Sequence, residues 1–151
     1  MNLATIIDDH PDDSIALISR GRETTYGELR EQVNRLRGGL AELGIGDGDR
    51  VAILCGNGRE FAITYLATLG LGAVAVPLNP LSPAPELEPE IEKVGAKVVV
   101  ITELSAATWA NVDRAKVPCV TAVVTGEPLG RDGHPRGSGE ADLHLLDDLL
   151  L

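Results

Sequence analysis

Apolar and polar positions along the chain alternate between strand-like and helix-like periods. Ser14-Ile-Ala-Leu-Ile-Ser19 is strand-like, Arg20-Gly21-Arg22 can turn and Glu23-Thr24-Thr25 can return, which predicts an N-terminal β-hairpin. Tyr26, Leu29, Val33, Leu36, Leu40 and Leu43 then recur at spacings of three and four, the mark of one helix face. Thr25 with Glu28 forms a capping box at its start, and Gly44 is placed to end it. The seam is under three heptads long, too short for a coiled coil, so the helix is expected to pack on a core.

Beyond it, strand and helix alternate. Val51–Cys55 is a continuous apolar run, as in strands covered on both faces. Asn57, with Glu60 three residues on, is expected to cap a second helix through Phe61, Ile63, Tyr65, Leu66, Leu69 and Leu71. That helix is apolar round most of its circumference, which predicts burial between layers. Ala73–Pro77 reads as a second buried strand, Pro85–Val94 as a helix that Pro89 delays or kinks, and Lys97–Ile101 as a third strand. A helix over 103–116 and a fourth strand over Cys119–Val124 follow. The fold class expected is α/β: a largely parallel sheet flanked by helices, with right-handed crossovers and an N-terminal hairpin.

The pattern breaks after residue 126. Residues 127–140 are rich in glycine and proline and read as a flexible loop, and 141–151 as a truncated helix. Three leucines at the end, Leu149–Leu151, gain nothing from exposure and suggest a cut end. Residues 1–126 are thus expected to form the α/β unit.

Composition narrows the function classes. In 151 residues, 23 Asp and Glu face 13 Lys and Arg, a formal net charge of −10 that argues against nucleic acid as a partner. No apolar run is long enough to cross a membrane and the start is acidic where a signal peptide needs base, so a cytoplasmic setting is expected. There the two cysteines, Cys55 and Cys119, are expected to stay reduced.

Three places invite a chemical reading. Gly44-Ile-Gly-Asp-Gly-Asp-Arg50 resembles a phosphate loop but lies after a helix and before a strand, the reverse of what an anion cradle needs; it reads as a turn. Cys55-Gly-Asn-Gly-Arg-Glu-Phe61 does join a strand to a helix. It lacks the third glycine and the ribose-binding acid of a dinucleotide site, which leaves a modest anion site or a capped helix start. Cys55 beside that terminus is either a thiol of lowered pKa or ordinary buried packing. His10, His134 and His144 have no metal-ligand spacing, and Asp142, Asp147 and Asp148 read as a solvated face. No catalytic, cofactor-binding or metal-binding residue can be assigned from the residues themselves.

The order of blocks is more specific. Thr25-Tyr-Gly-Glu-Leu29, Gly44–Ile53, Asn57-Gly-Arg-Glu-Phe61, Gly72-Ala-Val-Ala-Val-Pro-Leu-Asn-Pro80 and Gly95-Ala-Lys-Val-Val-Val100 together resemble the N-terminal segment of the acyl-adenylate-forming (AMP-binding) superfamily. Asn79, where peptide-synthetase adenylation domains more often carry Asp, resembles the acyl-CoA synthetases. Before the second helix the family often has a Pro-Asn pair, where this chain has Cys55-Gly56-Asn57. The resemblance implies a ligase that joins a carboxylic (fatty) acid to ATP as acyl-AMP and passes the acyl group to coenzyme A. It implies ATP, Mg²⁺ and CoA as cofactors of the parent enzyme. The family's phosphate loop, metal-binding acid, ribose-binding Asp and catalytic Lys have no counterpart in these 151 residues, so this segment alone is expected to be inactive and to bind no cofactor. Its uncovered apolar surface is expected to make it self-associate. The alternatives are a free-standing binding or interaction module built on this fold, and a small flavodoxin-like nucleotide protein resting only on Cys55–Phe61.

Overall fold

The computed structural model describes residues 2–125 and 143–145. A 3₁₀ turn, Leu3–Ile7, precedes a hairpin of β1 (Ile15–Ser19) and β2 (Arg22–Thr25), antiparallel with a register shift between Ile15 and Leu17. Helix α1 (Tyr26–Glu42) starts on the Thr25–Glu28 capping box, both halves of which form. It ends where Gly44 turns left-handed (φ +82°), with Gly44 and Ile45 donating their N–H groups to Ala41 and Leu40.

The alternation then builds β3 (Arg50–Leu54), α2 (Arg59–Gly70), β4 (Val74–Pro77), α3 (Ala84–Val94), β5 (Val98–Ile101), α4 (Glu103–Trp109), a 3₁₀ turn Arg114–Lys116 and β6 (Ala122–Thr125). With β7 (Leu143–Leu145) these strands form one parallel sheet in the order β4-β3-β5-β6-β7. The α/β class with a parallel sheet and an N-terminal hairpin is therefore the one the sequence pattern predicts. Two apolar clusters cover the two faces. One joins Leu36 and Leu40 of α1 and Ile63 of α2 to Val51, Ile53, Val98 and Val100. The other joins Leu87 and Ile91 of α3 and Trp109 of α4 to Leu54, Val99 and Val123. Successive strand residues point to opposite faces, so β3, β5 and β6 feed both clusters and are buried along almost their whole length.

Six details depart from the sequence expectation. Strand β4 is not a buried strand but the sheet edge, with Val74 47% exposed. An edge is also where Pro77 costs no ladder hydrogen bond. Asn57 does not cap α2; Gly58 takes the N-cap position without a side-chain bond. Helix α3 neither starts late nor breaks. Pro83 caps it, Pro85 lies in its first turn, and Pro89 sits on the exposed side, where the carbonyl it leaves unpaired can meet water. The helix expected over 103–116 stops at Trp109, because the side chains of Asn111 and Asp113 bond Ala107 O and Ala115 N–H in competition with the helix. Strand β6 begins at Ala122, after a turn that buries Val117 and Val120. At Leu143–Leu145 a strand paired with β6 stands where a helix was expected; the loop 127–140 and the rest of 141–151 lie outside the described residues.

Two carboxylates tie the second layer down. Glu88 of α3, only 5% exposed, accepts the Asp113 N–H (2.9 Å) and the Lys116 ammonium (2.9 Å). Asp49 accepts from Lys97 (2.7 Å) and from the Gly46 N–H (3.0 Å). Each partner set holds its carboxyl below the ordinary value: the Asp113 amide and then Lys116 for Glu88, Lys97 and then the Gly46 amide for Asp49. A lowered carboxyl stabilises the fold above its unfolded pKa and loses that contribution as pH falls through the lowered value. Glu88→Gln is therefore expected to lower the denaturant midpoint at pH 7, with the gap to wild type closing on the acid side of pH 4.5, Glu88's ordinary value. A gap that stays constant down to pH 3 (about 1.5 units below that value) would contradict this assignment.

Candidate functional site

In an open parallel sheet, ligands settle beyond the carboxyl ends of the strands where the winding reverses. Here the chain leaves β3 for β4 on one side and β5 for β6 on the other, so the reversal lies between β3 and β5. The right-handed crossover rule accounts for α2 and α3 covering opposite faces on either side of that point. The loops that follow the two strands, Cys55–Gly58 and Thr102–Glu103, flank a cavity of about 60 Å³ lined also by Arg20, Glu60 and Leu104.

The crevice is narrow because both helix starts are filled from within. Glu60 folds back on α2, its Oε2 3.1 Å from where a Cβ on Gly58 would lie, and the Ser19 hydroxyl comes from the other side at 3.5 Å. Leu104 closes on Gly56 in the same way, at 3.1 Å. Ser105 donates its hydroxyl to Leu54 O (2.6 Å), fixing the start of α4 against the end of β3. Glu60 and Glu103 stand in the first turns of α2 and α4, where a helix N-terminus would otherwise draw an anion. The Glu60 carboxylate in the first turn weighs against the anion-site reading of Cys55–Phe61, and the capped start is not found either, since Gly58 takes the N-cap position without a side-chain bond. The Cys55 thiol lies beneath this loop, 5% exposed, and burial, with Glu60 nearby, pushes it up to about 12. A thiol held protonated is packing, not a nucleophile.

The other candidates separate in space. Gly44–Arg50 forms the turn from α1 into β3, closed by Asp49 accepting from Gly46 N–H. Arg50 leaves that turn to donate to Gly48 O, Val94 O and Gly95 O, clamping the end of α3. His10 stacks on Tyr26 with ring centroids 4.2 Å apart. The backbone of His144 lies in β7, while His134 and the acids Asp142, Asp147 and Asp148 are outside the described residues. Lys97 and Lys116 are committed to Asp49 and Glu88, and Lys93 sits in the last turn of α3. Among the described residues no three His, Cys, Asp or Glu side chains group as a metal site.

One cluster went unread in the sequence. Arg20 and Arg22 of the hairpin and Arg59 of α2 line a depression of about 190 Å³ with Ser19, Thr24 and Glu60, sharing Arg20 and Glu60 with the crevice. A larger depression of about 280 Å³ lies between the first 3₁₀ turn, α1 and the end of α2, with Arg30, Asn34 and Arg37 in its wall. Arg30 is already spent there on Ile7 O and Asp12. The Arg20-Gly21-Arg22 turn was the signal available, but only the fold brings Arg59 to it.

Comparison with known proteins places this architecture. The profile of a family described as "AMP-binding enzyme" matches residues 3–144. Over 131 residues the chain is 30% identical to 4-coumarate–CoA ligase 5 of Oryza sativa subsp. japonica, which covers 87% of this chain and 23% of that protein. Over 82 residues it is 42% identical to the long-chain-fatty-acid–CoA ligase FadD13 of Mycobacterium tuberculosis, covering 54% of this chain and 16% of that one. The crystal structure of the anthranilate CoA ligase AuaEII with anthranoyl-AMP superposes with a TM-score of 0.84 at 24% identity, over 99% of this chain and 28% of that one. The chain thus spans less than a third of the length of each of these proteins.

Proposed function

The chain belongs to the AMP-binding enzyme family, and from that premise we propose that it serves as the N-terminal part of an AMP-forming acyl-CoA ligase. The reaction has two steps. A carboxylate attacks the α-phosphorus of ATP to give acyl-AMP and pyrophosphate; the CoA thiol then displaces AMP to give the thioester. ATP, Mg²⁺, CoA and a carboxylic acid, in our reading a fatty acid, are ligands of the whole enzyme. The family match over residues 3–144 carries the proposal.

The residues here supply scaffold in this reading. The described residues 2–125, with β7, form the α/β unit. Phosphoryl transfer needs cations aimed at the triphosphate and a bound metal. The crevice at the winding reversal instead presents Glu60 and Glu103 with Arg20 as its one cation, and two of the three lysines are held by carboxylates. We place the groups that hold triphosphate and metal outside these residues, and the setting in the cytoplasm. No helix among the described residues is long and apolar enough to cross a membrane. Ile18 and Leu81, each 68% exposed, and Val74 on the open sheet edge are the surfaces through which these residues would self-associate.

The gene product that carries this chain is expected to convert ATP to AMP and pyrophosphate only when an acid and CoA are both supplied, with the acyl-CoA seen by mass spectrometry. Formation of ADP and phosphate in its place would remove the proposal.

A further inference from the structure

We infer that the groove between the β1–β2 hairpin and the start of α2 binds a phosphate monoester through Arg20, Arg22 and Arg59. The inference stands apart from the ligase reading, because it rests on the groove alone. A chain of net charge −10 gathers three guanidinium groups in one depression of about 190 Å³, with Glu60 as the one opposing charge in its wall. Three other arginines are spent, Arg30 on Ile7 O and Asp12, Arg35 on Glu31 and Arg50 on three carbonyls, whereas Arg37 stands in the wall of a different depression. The side chains of Arg20 and Arg22 make no hydrogen bond or ion pair with another described residue. Arg59 gives one nitrogen to the neutral Gln32 (3.0 Å) and lies only loosely against Glu60, at 3.7 Å.

The backbone adds a second, independent observation. Arg20 (φ +51°) and Gly21 (φ +78°) are both left-handed, the paired geometry of a tight hairpin turn that favours Asn, Asp or Gly at its first position. Arg20 is the one non-glycine residue with positive φ among the described residues, and it projects where the groove and the crevice meet. A long cation held at a strained position marks a site more readily than a packing need. Three planar forks, with the hydroxyls of Ser19 and Thr24 beside them, match the oxygens of a dianionic phosphoryl group. The volume falls below the several hundred Å³ of a pocket that encloses a whole small molecule, so the phosphoryl group enters and the rest of its carrier stays outside.

The test is a titration of the ¹⁵N-labelled chain at fixed ionic strength with inorganic phosphate and, separately, with adenosine 3′-monophosphate. Saturable shifts are expected at the amides of Arg20–Thr24 and Gly58–Glu60. Arg22→Ala and Arg59→Gln are each expected to weaken binding about tenfold or more, and Arg35→Ala, on the exposed side of α1, to leave it unchanged. The spectra report at once whether each variant is folded. Tighter binding of the nucleotide than of phosphate identifies a nucleotide-borne group as the natural source, and equal binding identifies phosphate itself; either supports the site. Shifts that chloride reproduces, shifts that survive Arg22→Ala, or an equal loss in Arg35→Ala would overturn it.

Discussion

Ile53→Ala and Leu54→Ala are each expected to destabilise the fold by about 2–5 kcal/mol, although the two residues are neighbours in one strand. Both are fully buried in β3, and alternation sends Ile53 to the α1–α2 cluster and Leu54 to the α3–α4 cluster. The two cavities open on opposite faces of the sheet and against different helices, so each loss is felt by a different cluster and the double variant should lose more than either single one. A domain of this size has about 5–15 kcal/mol to lose, and the double variant should be largely unfolded at 25 °C. Ile18→Ala, on an exposed face of the hairpin, should stay within about 0.5 kcal/mol of wild type. Denaturant midpoints decide the matter. If either single substitution in β3 costs less than about 1 kcal/mol, one face of the sheet is not covered as described.

Arg50→Met is expected to cost about 2–3 kcal/mol, a large effect for a half-buried surface arginine. Its guanidinium donates to Val94 O (2.7 Å), Gly95 O (3.1 Å) and Gly48 O (3.0 Å), tying the end of α3 to the turn before β3. Gly95 is left-handed (φ +62°), and a Cβ there would lie 2.7 Å from Arg50 Nη2. Gly95→Ala therefore carries two penalties in wild type, backbone strain of about 1 kcal/mol and displacement of the clamp. In an Arg50→Met background only the strain remains. A double-mutant cycle should show Gly95→Ala costing less there than in wild type, by about 1 kcal/mol or more. Equal costs in both backgrounds would show that the clamp does not hold the helix end.

Much of this architecture was legible in the chain. Spacing gave α1 its buried face, the Thr25–Glu28 box and Gly44 gave its two ends, and unbroken Val and Ile runs marked β3 and β5 as strands covered twice. These are local signals, carried by residues a few positions apart. The errors came where the deciding partner is distant. Val74–Pro77 looks as buried as Val98–Ile101, and only strand order makes the first an edge. The α4 stretch keeps enough helical residues to 116, but Asp113 gives its N–H to Glu88, 25 residues earlier, and the helix yields. At the candidate site, the strand–loop–helix at Cys55–Phe61 and Glu60 at its start are legible in the sequence, whereas the N-cap falls on Gly58 and not on Asn57. The arginine groove was illegible for the same reason, since the hairpin and α2 meet only after folding.

The most direct measurement of the central claim is exchange of labelled pyrophosphate into ATP, because adenylation is the step that defines an AMP-forming ligase and it needs no CoA. With Mg²⁺ and a panel of fatty and aromatic acids, residues 1–151 alone are expected to give no acid-dependent exchange, and the gene product that carries them is expected to exchange with at least one acid. Acid-dependent exchange by residues 1–151 alone, or none by that gene product with any acid, would contradict the account.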